Sequence, residues 1–84
     1  MGKYEPLLNY LQNMPSDKRD LTMSFLELEK VLNFKLPMSA HEYRAWWANS
    51  SSREDHPHAQ SWLQAHWKVD SLSLAEKWVR FVRD

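Results

Sequence analysis

Eighty-four residues suffice for one domain and leave no length for a second core. Apolar residues at 43% and charged residues at 26% exclude a disordered chain, and the absence of cysteine excludes disulfide and thiolate chemistry. Eleven basic against eleven acidic residues exclude a uniformly basic surface, so any basic patch has to be local.

The aromatic fraction is high, 13% with five tryptophans, as expected of a small chain that builds its core from few, large side chains. In the first segment, Tyr4, Leu7, Leu8, Leu11 and Met14 recur at helical spacing, with Pro6 tolerated in the first turn. Pro15 ends this helix in the polar loop "PSDKRD". Leu21 to Met23 reads as a short extended piece. Ser24 and Glu27 then form a capping box opening a second helix, with Phe25, Leu28, Val31 and Leu32 as its apolar stripe and an end near Asn33. Glu29 reads as a solvated side chain. Ser39 and Glu42 predict a second capping box and a third helix, "AHEYRAWWAN", with Tyr43, Trp46 and Trp47 sharing one broad face. Adjacent helical residues point about 100° apart, which leaves one edge of the tryptophan pair turned outward.

The stretch "SSSREDHPH" is a loop by composition, and Pro57 suits the first turn of a fourth helix carrying Ala59, Trp62 and Leu63. From Trp67 onward the chain alternates and is rich in β-branched and aromatic residues, which predicts an antiparallel hairpin with Val79 and Phe81 inward. The competing reading of "SLAEKWVRFV" as a helix rests on Ser73 and Glu76, a third capping-box match. Helix, short strand, helix, turn, helix and hairpin is the order of an α+β, winged helix-turn-helix-like domain, mostly helical with a C-terminal β-hairpin. The "FKLPM" connection is longer than the tight turn of the compact motif.

Six stretches span nearly the whole chain: Pro6-Leu7-Leu8-Asn9-Tyr10-Leu11, Ser24-Phe25-Leu26-Glu27-Leu28-Glu29, Leu36-Pro37-Met38-Ser39-Ala40, Trp46-Trp47-Ala48-Asn49, Trp62 to Val69, and Val79-Arg80-Phe81-Val82-Arg83. On these the chain resembles a family of small bacterial and archaeal domains of unassigned function. Members occur alone or attached to larger proteins, some nuclease-like. The resemblance implies an accessory role in a bacterial defence or regulatory system. One departure stands at His66, where the family carries glycine. Glycine after a helix marks a left-handed C′ position, which histidine tolerates at a cost, so His66 reads as a strained cap rather than a ligand.

Catalysis finds no foothold. There is no nucleophile elbow, phosphate loop or H-E-x-x-H pattern, and the single glycine precludes a glycine-rich cradle. Glu27 and Glu29 face different sides of their helix, and so small a domain is expected to lack a pocket of several hundred Å³. His56 and His58 in "HPH" are a weak metal signal, better read as a loop whose proline starts a helix. Neither cofactor nor metal is expected. No segment reaches the roughly 20 apolar residues of a membrane span, which makes a cytoplasmic location the default.

Binding remains, to nucleic acid (duplex DNA above all) or to a protein. In the first reading His41, Arg44 and Asn49 of the third helix, Ser51 and Arg53 of the serine loop, and Lys77 and Arg80 of the wing contact bases and phosphates. Trp46 or Trp47 offers an edge for stacking on a base or a partner. In the second reading the same tryptophan- and arginine-rich patch is a protein interface, which the zero net charge favours. A homodimer is compatible with either.

Overall fold

Alternation along the last strand dictates the layering: Val79 and Phe81 are fully buried, whereas Trp78, Arg80 and Val82 between them are half-buried on the opposite face. The computed structural model describes residues 2–50 and 58–84. In chain order the elements are α1 (Glu5–Gln12), β1 (Asp20–Ser24), α2 (Phe25–Leu32), α3 (Met38–Glu42), a 3-10 turn (Arg44–Trp47), α4 (Ala59–Leu63), β2 (Trp67–Ser73) and β3 (Trp78–Arg83). The domain is α+β, and among the described residues no helix is long and apolar enough to cross a membrane.

The predicted hairpin is present, and the extended piece before α2 joins it as β1. The sheet order is β1-β3-β2, antiparallel throughout, so the last strand is central. Asp70 is skipped in the pairing of β2 with β3, a bulge between Val69 and Ser71. The helical alternative for this segment had a real local basis, because the Ser73 hydroxyl does accept from the Glu76 N–H at 3.0 Å. Lys77 then adopts φ 61° and turns the chain back into β3. A strand that buries Val79 and Phe81 and bonds to two neighbours outweighs a lone cap.

Ser24 and Glu27 make the predicted capping box, with bonds of 3.1 and 2.9 Å, and α2 ends at Asn33 in the left-handed region. Glu29 is half-buried rather than merely solvated: its carboxylate accepts the Leu36 N–H at 2.8 Å and shapes the turn into α3. The third helix differs from expectation. Ser39 caps nothing, Pro37 occupies the N-cap, and the helix stops after Glu42 because Tyr43 is extended at φ −125°, ψ 119°. The break swings the 3-10 turn so that Trp47 is buried, with its Nε1 donating to the Ala40 carbonyl at 2.9 Å. A continuous helix over 40–49 would carry that indole away from the carbonyl.

Three tryptophans form the centre of the core. Trp47, Trp62 and Trp67 are each at most 2% exposed, and each indole N–H has an acceptor: Ala40 O, Asn49 Oδ1 and Leu11 O respectively. Burying a ring of this size removes roughly 150–250 Å² from water, about 4–6 kcal/mol per tryptophan before entropy is counted. Trp47 stacks on Phe25 and Trp62, which ties α2, the 3-10 turn and α4 together. His66 follows α4 at φ 64°, the strained left-handed position expected of it.

Candidate nucleic-acid interface

Residues far apart in sequence meet at the hairpin end of the molecule. The Phe25 N–H, at the start of α2, donates to the Lys77 carbonyl at 2.9 Å, which pins the β2–β3 turn beside that helix. The Phe25 ring meets His41 of α3 edge-on at 5.2 Å. Arg44 reaches the same end from the 3-10 turn, its Nη1 donating to the Leu72 carbonyl at 3.3 Å. His41, Arg44 and Lys77 thus surround one end of the sheet, with Tyr43 between the first two and 60% exposed. Arg44 uses one of five guanidinium donors there, and Lys77 is exposed at the turn. Glu27, Glu42 and Glu76 are exposed on the same elements, so the cluster is mixed in charge rather than uniformly basic.

Other nominated residues have different work. The Asn49 carboxamide makes three bonds: Nδ2 donates to the Val69 carbonyl at 2.9 Å, and Oδ1 accepts both the Val69 N–H at 2.8 Å and the Trp62 indole N–H at 3.0 Å. It therefore pairs with the outer edge of β2 as a neighbouring strand residue would, and its orientation is set by the fold. Arg80 lies on the outer sheet face between two carboxylates, Asp20 of β1 at 2.8 Å and Asp70 of the bulge at 2.7 Å. Those bonds, first to Asp20 and then to Asp70, raise its already high proton affinity and cancel its charge locally. Ser51 and Arg53 lie outside the described residues, as do His56 and Pro57.

The tryptophan pair resolves asymmetrically. Trp47 is buried and unavailable for stacking. Trp46 is half-buried, and His58 already lies parallel to it, with centroids 3.7 Å apart and 4° between planes. His58 itself is 5% exposed and its Nε2 contacts the Trp46 carbonyl, which makes it a core residue. The exposed aromatic of this region is instead Tyr43, which helical spacing puts on one face with Trp46 and Trp47. The extended backbone at Tyr43, φ −125° and ψ 119°, takes it off that shared face.

Sequence reading also passed over Arg83 as a structural centre. Its guanidinium stacks on Trp67 at 4.3 Å and donates to the carbonyls of Met14, Pro15 and Lys18 at 3.2, 2.8 and 3.0 Å, closing the loop after α1 onto the sheet. A cleft of about 440 Å³ opens between the start of α1 and α4, larger than expected of so small a domain. It is lined by Tyr4, Leu8, Gln60 and Gln64 among others, and lies away from the hairpin end. Burial raises the Tyr4 phenol above its ordinary pKa.

Residues 4–84 match the model of a family described as Domain of unknown function (DUF7662). No curated protein and no solved structure matches the chain.

Proposed function

The chain belongs to the DUF7662 family, and on that premise we propose that it is a non-catalytic nucleic-acid-binding module of winged-helix-like build, accessory to a larger defence or regulatory system. The observation that carries this reading is the convergence of His41, Arg44 and Lys77 from α3, the 3-10 turn and the hairpin on one end of the sheet. The order of elements, with β3 between β1 and β2, supports the winged-helix analogy.

The contacts differ from those the sequence suggested. Arg44 and Lys77 supply phosphate contacts, and the exposed Tyr43 ring offers a platform for an unpaired base. At five residues, α3 is too short to lie along a major groove, so backbone contact and stacking dominate over base-edge reading.

The test is fluorescence anisotropy of labelled single-stranded and duplex DNA at low and moderate salt. Two phosphate contacts predict a slope of log K on log salt of about −1.4 for a single strand and about −1.8 for a duplex. Arg44→Ala or Lys77→Ala reduces the slope by about half. Absence of binding to either DNA at low salt sinks the reading. A protein-binding role is the second reading, favoured by Leu26, Met38 and Tyr43, which are 67, 69 and 60% exposed. Its complex would be far less sensitive to salt.

A further inference from the structure

The two edges of the sheet are finished differently, and the hydrogen-bond phase shows how. Arg83 N–H bonds to the Arg19 carbonyl and Phe25 N–H to the Lys77 carbonyl. In the register of β1 with β3 these odd-numbered positions of β1 face β3. The N–H and C=O groups of Asp20, Thr22 and Ser24 therefore point away from the sheet. The same phase carries β3 to β2 through Lys68, Ser71 and Ser73, leaving Val69 and Leu72 pointing outward at the other edge. There the side chains act as plugs: Asn49 takes both Val69 groups and Arg44 takes the Leu72 carbonyl. At the β1 edge Ser24 N–H is held by Glu27, but no side chain among the described residues bonds to the backbone of Asp20 or Thr22.

We propose that the open edge of β1 pairs antiparallel with β1 of a second copy of this chain, about a two-fold axis through Thr22. The strand is complementary to itself in that register. Thr22 meets Thr22 of the other copy, and Asp20 meets Ser24, all on the outer face, while Leu21 meets Met23 on the core-facing side. Within the strand no like charges stand opposite one another, and Asp20 shares the Arg80 guanidinium with Asp70. The basic Lys18 and Arg19 of one copy fall at the end of the join where the other begins α2 with Leu26 and Glu27. Lys18 and Arg19 there offset Asp17 and the facing Glu27, and the lysine stem is placed to cover Leu26, which is 67% exposed. Net charge of zero leaves no overall repulsion.

With Thr22 supplying the central pair of bonds and the capping box closing the ladder at Ser24, the dimer is weak and concentration-dependent. Its formation is independent of the nucleic-acid reading, since His41, Arg44 and Lys77 lie outside the join.

Sedimentation velocity from micromolar to millimolar protein tests it, alongside concentration-dependent amide shifts in two-dimensional NMR. The expected result is a rise toward twice the monomer mass, with the Thr22 and Asp20 amides shifting and those of β2 unmoved. Thr22→Pro removes an N–H that faces away from β3, so it preserves the fold and abolishes the rise. Thr22→Lys places two lysines opposite each other and does the same without changing backbone freedom. A monomer throughout the range overturns the proposal. So does a dimer that survives Thr22→Lys in a variant of unchanged circular dichroism, or one whose shifts fall on residues away from β1, including a case in which only an added extended peptide engages the edge.

Discussion

Substituting Asn49 by alanine separates a structural role from a binding role more cleanly than any other single change. The amide holds three groups: the N–H and C=O of Val69 and the indole N–H of Trp62. Trp62 is 1% exposed, so losing its acceptor leaves a buried donor unsatisfied, at about 1–3 kcal/mol. The Val69 groups sit on an edge strand where water replaces the amide, so each adds about 0.5 kcal/mol, the low end for a net hydrogen bond. The sum is about 2–4 kcal/mol. In a domain of this size each kcal/mol moves the melting temperature by about 4–8 °C, so a fall of at least about 8 °C is expected by differential scanning calorimetry. In a Trp62→Phe background, where no indole N–H awaits a partner, the same substitution costs about 1–3 kcal/mol less, which a double-mutant cycle measures directly. A melting temperature within experimental error of the parent, combined with weakened DNA binding, would refute this reasoning and return Asn49 to the surface.

The strained cap gives a change in the opposite direction: His66→Gly removes a left-handed penalty of about 1–2 kcal/mol and adds about 0.5–1 kcal/mol of unfolded-state entropy, for a net gain of up to about 1.5 kcal/mol by urea denaturation. Arg83→Lys loses the stack on Trp67 and the fork reaching three carbonyls, so it is expected to destabilise by about 1–2 kcal/mol in the same assay even though the charge is kept. The Glu27 carboxyl is held below its ordinary value of 4.5, first by the Ser24 backbone N–H and then by the Ser24 hydroxyl. A depressed folded-state pKa stabilises fully above the unfolded value and loses that contribution as pH falls through the folded one. Glu27→Gln therefore lowers the melting temperature near neutrality and flattens its decline below about pH 4.5, by a small amount because the group is exposed.

Elements defined by local chemistry were legible in the sequence, and those defined by a distant partner were not. The Ser24–Glu27 box, the stripe of α2 and the alternation around Val79 and Phe81 all lie within a few residues of what they determine. The same S-x-x-E pattern misled at Ser39 and was only a turn at Ser73. In the first case Pro37 precedes and Trp47 draws the chain out of helix at Tyr43; in the second the sheet claims the backbone. A capping box states that a helix start is locally affordable, and tertiary contacts decide whether one forms.

The candidate site shows the same division with a functional consequence. Arginine, asparagine and lysine beside tryptophans compose a binding surface on paper, because each can face a phosphate or a base. Three of them also serve an architecture that has two sheet edges to manage. Asn49 and Arg44 sit 20 and 28 residues from the backbone they plug, and Arg80 lies 60 residues from Asp20, separations that no motif records. What distinguishes the two uses is what already holds each group. Asn49 is fixed by three bonds and Arg80 is paired with two carboxylates, whereas Arg44 makes one bond to a carbonyl and Lys77 stands at an exposed turn. A role in binding follows from that difference, which is why Arg44→Ala and Lys77→Ala belong in the DNA titration and Asn49→Ala belongs in the calorimeter.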